Sequence, residues 1–295
     1  MDHSLDANLR GSNLGRVELF EVGPRDGLQN EQAEISVAQK IELVDCLSRA
    51  GFSRIECASF VSPKWVPQMA GSGEVLQGIN RVSGLRYAAL TPNMRGFDDA
   101  CAAGADEIAV FGSASEGFSK ANINVGVDES LDRFAPVIEA ARAIDLPVRG
   151  YVSCVVGCPY DGEVHPSQVA RVADRLFAMG CYEVSLGDTI GVGTPDSIAR
   201  MLMAVRDVVP VGRLAGHYHN TNGRAIDNID ASLALGLRVF DAAVGGLGGC
   251  PYAPGAAGNV ATEGVAAHLQ HLGYETGLDQ AVLEQAAALA CAMRA

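Results

Sequence analysis

The sequence predicts an α/β fold: a TIM (β/α)8 barrel with a short C-terminal helical extension. Three observations carry that expectation. The first is a recurring unit, a helical stretch, then a small residue and Gly, then a β-branched strand. It reads in SRAGFSRIECASF, AAGADEIAVFG, AMGCYEVSLGD and ALGLRVFDAAV, with glycines 51, 104, 180 and 236. Gly just past a helix suits the left-handed position that ends it, and a strand starting within a few residues is the usual αβ connection. The second is number: eight strand candidates alternate with helices within 295 residues, which suits a barrel of this class. The third is composition. The strands are mostly apolar rather than alternating, as expected of parallel strands covered on both faces. An open doubly wound sheet would carry G-x-G-x-x-G after its first strand, and VGPRDGLQNE is not that motif.

The strands are expected at 17–23, 54–59, 85–90, 107–112, 148–154, 182–188, 213–219 and 239–244. Helices lie between them, for example at 36–50, 130–143, 166–179, 195–208 and 223–235. Pro166 and Pro195 stand where a first helical turn begins, a position that tolerates the missing N–H. Residues 279–294 read as an extra amphipathic helix, and 1–15 as a flexible polar lead-in. No linker divides 16–295, so one catalytic domain is expected there.

Composition narrows the function. Thirty-five acidic against 22 basic residues give a formal net charge of −13. That argues against general binding of nucleic acid or anionic membrane, which needs a basic face. It leaves room for a local basic patch that holds an anionic small molecule. There is no apolar run of about 18 residues to span a membrane, and no apolar segment of a secretory signal. The eight cysteines do not suggest a disulfide framework in so large a chain. Cys57 and Cys181 sit in apolar runs and read as small buried hydrophobes, and the C-x3-C of Cys154 and Cys158 is a poor zinc signal. A cytoplasmic location is expected.

Barrel chemistry sits at the C-terminal strand ends. Strand one ends in Arg25 and Asp26, strand two carries Glu56, strand six ends in Asp188, and strand seven ends in His217 and His219. Residues two apart on a strand face the same way, so both imidazoles of His217-x-His219 can reach one ion. With Asp26 as carboxylate, the set suits a divalent ion of the Mg, Mn or Zn kind. Arg25 is then free to face an anion such as a developing enolate. The loop GLGGCPYAPGAAGN, 246–259, is nearly uncharged and Gly-rich, and its one thiol is Cys250. A reactive thiol needs mobility, partial exposure and a nearby positive group or metal, and this loop is expected to supply the mobility.

Six stretches are familiar: VGPRDGLQNE, FVSPKWVPQM, VRGYVSCVVGCPY, GCYEVSLGDTIGVGTP, GHYHNTNG and GLGGCPYAPGAAGNVATE. Through them the chain resembles the 3-hydroxy-3-methylglutaryl-CoA lyase family. The resemblance implies metal-assisted cleavage of 3-hydroxy-3-methylglutaryl-CoA to acetyl-CoA and acetoacetate. It implies Mg2+ or Mn2+ held by Asp26, His217, His219 and Asn259, with His217 or Asp188 as the base. Arg25 would stabilise the enolate, Cys250 would protonate or cover it, and Glu56 would support the Arg25 and Asp26 group. Arg149 and Tyr151 would stand on the substrate side. The family also suggests an acyl-CoA substrate and a homo-oligomer, a dimer or larger. One departure is Asn220, where the pattern after the second His usually has Asp. It keeps open a bulkier 3-hydroxy-3-alkylglutaryl-CoA as substrate. A synthase of the isopropylmalate or citramalate type would share Arg25, Asp26 and the His pair but not the Cys250 loop.

Overall fold

The eight expected strands close into one parallel barrel with helices outside it. The computed structural model describes residues 14–250 and 253–294, with 249, 250 and 253–257 described by backbone alone. The barrel strands are β1 (Glu18–Glu21), β2 (Arg54–Ser59), β3 (Arg86–Leu90), β4 (Glu107–Ser113), β5 (Val148–Ser153), β6 (Glu183–Asp188), β7 (Leu214–Tyr218) and β8 (Val239–Ala242). Each pairs with the next, and β8 closes on β1 with Glu18 opposite Val239 and Glu21 opposite Ala242. The helices are α1 (Val37–Leu47), α2 (Ser72–Gly78), α3 (Met94–Ala103), α4 (Glu116–Ile123), α5 (Val127–Ala143), α6 (Pro166–Met179), α7 (Pro195–Arg206), α8 (Ala225–Ala234), α9 (Thr262–Leu272) and α10 (Gln280–Ala292). Among the described residues, no helix is long and apolar enough to cross a membrane.

Local chemistry explains where these elements stop and start. The four unit glycines, 51, 104, 180 and 236, all take positive φ. The Ser36 and Thr194 side chains cap α1 and α7, accepting from Gln39 N and Ser197 N. A side-chain acceptor at that position satisfies an amide the helix cannot.

The first strand is shorter than the 17–23 expected from sequence. After Val22 the chain enters a π-helical turn, Gly23–Gly27. The amides of Arg25, Asp26 and Gly27 all converge on the Val22 carbonyl, at 3.1, 2.7 and 3.2 Å. That turn lifts Arg25 and Asp26 onto the barrel mouth. Two short hairpins were also not expected, Gly157–Cys158 with Gly162–Glu163 and Gly249–Cys250 with Ala253–Ala257.

The apolar core lies between strands and helices. Ile55, Val110, Val152, Val184 and Leu186 meet helix residues such as Leu43, Leu131, Val172, Leu176 and Met201 in one buried cluster. The lumen differs from that layer. Barrel interiors are usually filled by branched apolar side chains, but here buried Arg54, Glu56, Glu107, Arg149, Glu183 and Asp241 join Phe20 and Tyr151. The apolar strand composition read from sequence therefore describes the helix-facing side. The extra helix α10 packs on α1 and on the bend at 244–246. Just beyond it, Arg294 donates to Glu31 at 2.9 Å and to the Gly246 carbonyl at 2.7 Å.

Candidate active site

Asp26, His217 and His219 each offer one ligand atom, and the three atoms lie within 4.8 Å of one another. Asp26 comes from the turn after β1. His217 lies on β7, and His219 follows it by strand spacing, so both rings face the mouth, with centroids 5.2 Å apart. Asn259 joins from the far end of the 246–259 loop. Its backbone bridges His219, and its Nδ2 donates to Asp26 Oδ2 at 3.0 Å and to the Leu247 carbonyl at 3.2 Å.

This donor set fits a divalent cation. His219 Nδ1 is buried with no hydrogen-bond partner, and buried polar atoms are rarely left so. Burial, then the neighbouring His217, holds the His219 imidazole down at about 4, so it is neutral near pH 7. Burial opposes ionisation of Asp26, but Arg25 and the two imidazoles outweigh it and hold the carboxyl at about 2. Burial also disfavours charge on His217; the hydrogen bond and charge of Asp241 reverse that and raise it. One carboxylate and two imidazoles suit Mg, Mn or Zn; Asn259 turns its NH2 toward them here, and only its Oδ1 could act as a ligand.

Arg25 lies beside this group. Its Nη1 donates to Asp26 Oδ1 at 2.7 Å and its Nε to Glu56 Oε2 at 2.5 Å. Its guanidinium stands over the Tyr151 ring, 5.5 Å from the centroid. Burial lowers its pKa, but Glu56 and then Asp26 more than restore it, so the charge is permanent. Glu56 Oε1 and Tyr151 Oη are buried without partners, which leaves polar atoms next to Arg25 for an incoming group. The structure thus brings together Arg25, Asp26, Glu56, Tyr151, His217, His219 and Asn259.

Two expected residues are placed elsewhere. Asp188 ends β6 on the side facing away from the lumen, and its carboxylate accepts from the amides of Val192 and Gly193 at 3.2 and 2.7 Å. It shapes the loop after β6; among the described residues no hydrogen bond joins it to the His pair, although His217 acts on it through charge. Arg149 is fully buried. Its three nitrogens are engaged by Glu183 and Asp241, so it stands behind the centre and not on the substrate side. Cys250 lies in a backbone hairpin, and its side chain is outside the described residues.

Sequence reading missed Asp241 and Ser185. Asp241 accepts from His217 Nδ1 at 3.1 Å and from Ser185 Oγ at 2.8 Å. The available signal was a lone carboxylate inside the apolar strand VFDA. Asn220 proves to be a turn residue: its Oδ1 accepts from Ala225 N at the start of α8, and its own amide meets the Gly258 carbonyl. An amide oxygen accepts from that N–H as a carboxylate would.

A family model described as HMGL-like matches residues 16–290. The chain belongs to the HMGL-like family. Among its relatives is the 3-hydroxy-3-isohexenylglutaryl-CoA/hydroxy-methylglutaryl-CoA lyase of Pseudomonas aeruginosa, 59% identical over 278 residues, 94% of this chain and 93% of the relative. The solved HMG-CoA lyase of Brucella melitensis superposes with a TM-score of 0.94 at 60% identity, covering 95% of this chain and 99% of that one. An HMG-CoA lyase from Acinetobacter baumannii, solved with coenzyme A and 3-methylmalate, gives 0.90 at 35% identity over 95% and 91%. This HMGL-like barrel therefore shares both its fold and its sequence with those enzymes over nearly its whole length.

Proposed function

We propose that this HMGL-like protein is a divalent-metal-dependent lyase that cleaves 3-hydroxy-3-methylglutaryl-CoA to acetyl-CoA and acetoacetate. The observation that carries the reading is the guanidinium of Arg25 set against a three-donor cation site at the barrel mouth. A retro-Claisen cleavage needs both: something to lower the pKa of a tertiary alcohol, and a fixed positive charge where the enolate forms. The family match and the names of its relatives support the same reaction.

Asp26, His217 and His219 would hold Mg2+ or Mn2+, with Asn259 turning its Oδ1 toward the ion as the amide ligand. The bound ion would supply Lewis acidity to the substrate's 3-hydroxyl and carboxylate. Arg25, kept in place by Glu56 and Asp26, would receive the negative charge that moves onto the thioester carbonyl. Tyr151 and Glu56 Oε1 would meet the substrate's polar atoms. Cys250 is assigned to the loop that closes over the carbanion, which must be kept from water until protonated. The substrate is an acyl-CoA, in keeping with the coenzyme A in the Acinetobacter baumannii relative. A homo-oligomeric state is part of the proposal, and sedimentation tests it.

The test is an assay of purified protein with 3-hydroxy-3-methylglutaryl-CoA, run with chelator, Mg2+ or Mn2+. Acetoacetate and acetyl-CoA should form with metal and stop on chelation. No cleavage under any metal would sink the proposal. The Pseudomonas aeruginosa relative is named for two substrates, so an isohexenyl arm belongs in the same assay.

A further inference from the structure

Behind His217 the lumen carries a line of ionic hydrogen bonds to which the proposed reaction assigns no role. It begins near the N-terminal mouth, where Glu18 accepts from Arg54 Nε at 2.7 Å. Arg54 Nη1 donates to Glu183 Oε1 at 3.0 Å, and Arg149 Nε donates to the same oxygen at 2.7 Å. Arg149 then grips Asp241 with two nitrogens, Nη1 to Oδ2 at 3.0 Å and Nη2 to Oδ1 at 2.7 Å. Ser185 Oγ donates to Oδ2 at 2.8 Å. The last member is His217 Nδ1, 3.1 Å from Oδ2.

The register of the sheet makes this line possible. Asp241 on β8 lies directly opposite His217 on β7, and Arg149 on β5 lies opposite Glu183 on β6. The bidentate clamp from Arg149 keeps Asp241 a carboxylate, and a carboxylate only accepts. His217 Nδ1 must therefore be the donor. The proton on Nδ1 leaves the lone pair on Nε2, and that atom faces Asp26 Oδ2 at 3.9 Å.

We infer that Asp241, clamped by Arg149 and Ser185, is a positioning residue that fixes the tautomer of His217 and aims Nε2 at the cation held by Asp26 and His219. The purpose given to Nε2 rests on the metal reading above; the tautomer does not. Replacing the carboxylate by an amide breaks the logic at one atom. An Asn has one acceptor and one NH2 group, and one of the two must face donors. If the NH2 faces His217, the ring must accept on Nδ1 and carry its proton on Nε2, where a metal cannot bind.

The experiment reads the His217 ring by 15N NMR on metal-free protein at alkaline pH, where the imidazole is neutral. A Mn2+ titration is run on the same samples. Wild type should carry the proton on Nδ1. Asp241→Asn should shift it toward Nε2 and weaken Mn2+ binding about 10–100-fold, the usual effect of losing an outer partner of a ligand. An Nε2–H tautomer in wild type, or an unchanged tautomer and affinity in Asp241→Asn, overturns the inference. Nδ1–H in a wild type that binds no Mn2+ supports the positioning role and overturns the metal reading instead. The wild-type spectrum needs no variant, so failure of Asp241→Asn to fold leaves the test standing.

Discussion

Asp26 has a guanidinium on one carboxylate oxygen and an amide on the other, with two imidazoles within ligand reach. Replacing it by Asn removes the only carboxylate of the three-donor set. Asp26→Asn should weaken Mn2+ binding by more than about 100-fold, beyond the range of an outer-partner loss, as read by calorimetry. In the proposed reaction Arg25 would act on charge that forms as the C–C bond breaks and is absent from the bound substrate. Arg25→Met should lower kcat about 10²–10³-fold, the scale of losing an oxyanion donor, with KM little changed; a loss confined to KM would assign Arg25 to ground-state binding. At this scale the sequence was informative where a motif crowded its polar residues. His217-x-His219 and Arg25-Asp26 declared themselves by spacing. Asp241 did not, because a single acid inside VFDA gains its meaning from the neighbouring strand. Asp188 stands at a strand end as expected, but its side-chain direction is set by the pleat, and at 188 that direction turns the carboxylate to the amides of Val192 and Gly193.

Two loops meet over the centre, and their junction has little spare room. Gly248 has φ +95, and a Cβ there would stand 3.0 Å from Asn259 Nδ2 and 3.2 Å from Gly27 Cα. Gly248→Ala therefore strains the backbone and pushes on the amide that joins the ligand cluster. A cost of about 1–3 kcal/mol in stability is expected from the strain, with weakened Mn2+ binding; a variant equal to wild type in both would contradict this packing.

Glu21 ties the same junction from below. At the end of β1 it accepts from Gly23 N, Val244 N and Thr262 Oγ1, at 2.8, 2.9 and 2.6 Å. Burial pushes its carboxyl up to about 7, against the pull of those hydrogen bonds. A folded pKa above the unfolded one contributes stability that is full below about 4.5 and is lost as pH rises through about 7. Glu21→Gln should remove that dependence. Relative to wild type, its unfolding free energy should gain a few kcal/mol between pH 4.5 and 8. Parallel pH profiles in the two proteins would contradict the assignment. The periodic glycines and apolar runs made the strands and most helices legible, whereas the π-helical turn at 23–27 was not. It exists because three amides share the Val22 carbonyl, and no residue type announces that.

For the whole molecule, the barrel is a shell of apolar packing around an ionic lumen. Sequence composition revealed the shell, because helix-facing positions such as Val152 and Leu186 dominate each strand. The lumen was hidden, because its ions, Arg54, Arg149, Glu183 and Asp241, lie on separate strands and pair only when the register is known. A cation that binds only the folded barrel must stabilise all of it. At about 100 times its Kd, Mn2+ should add about 2.7 kcal/mol to unfolding, a rise in Tm that Asp26→Asn should lose. The central claim is tested most directly by titrating Mn2+ into chelator-treated protein while measuring bound metal and acetoacetate formation in the same samples. Activity should rise from zero in proportion to occupancy of one site per chain. Full cleavage of 3-hydroxy-3-methylglutaryl-CoA with no metal bound would contradict it.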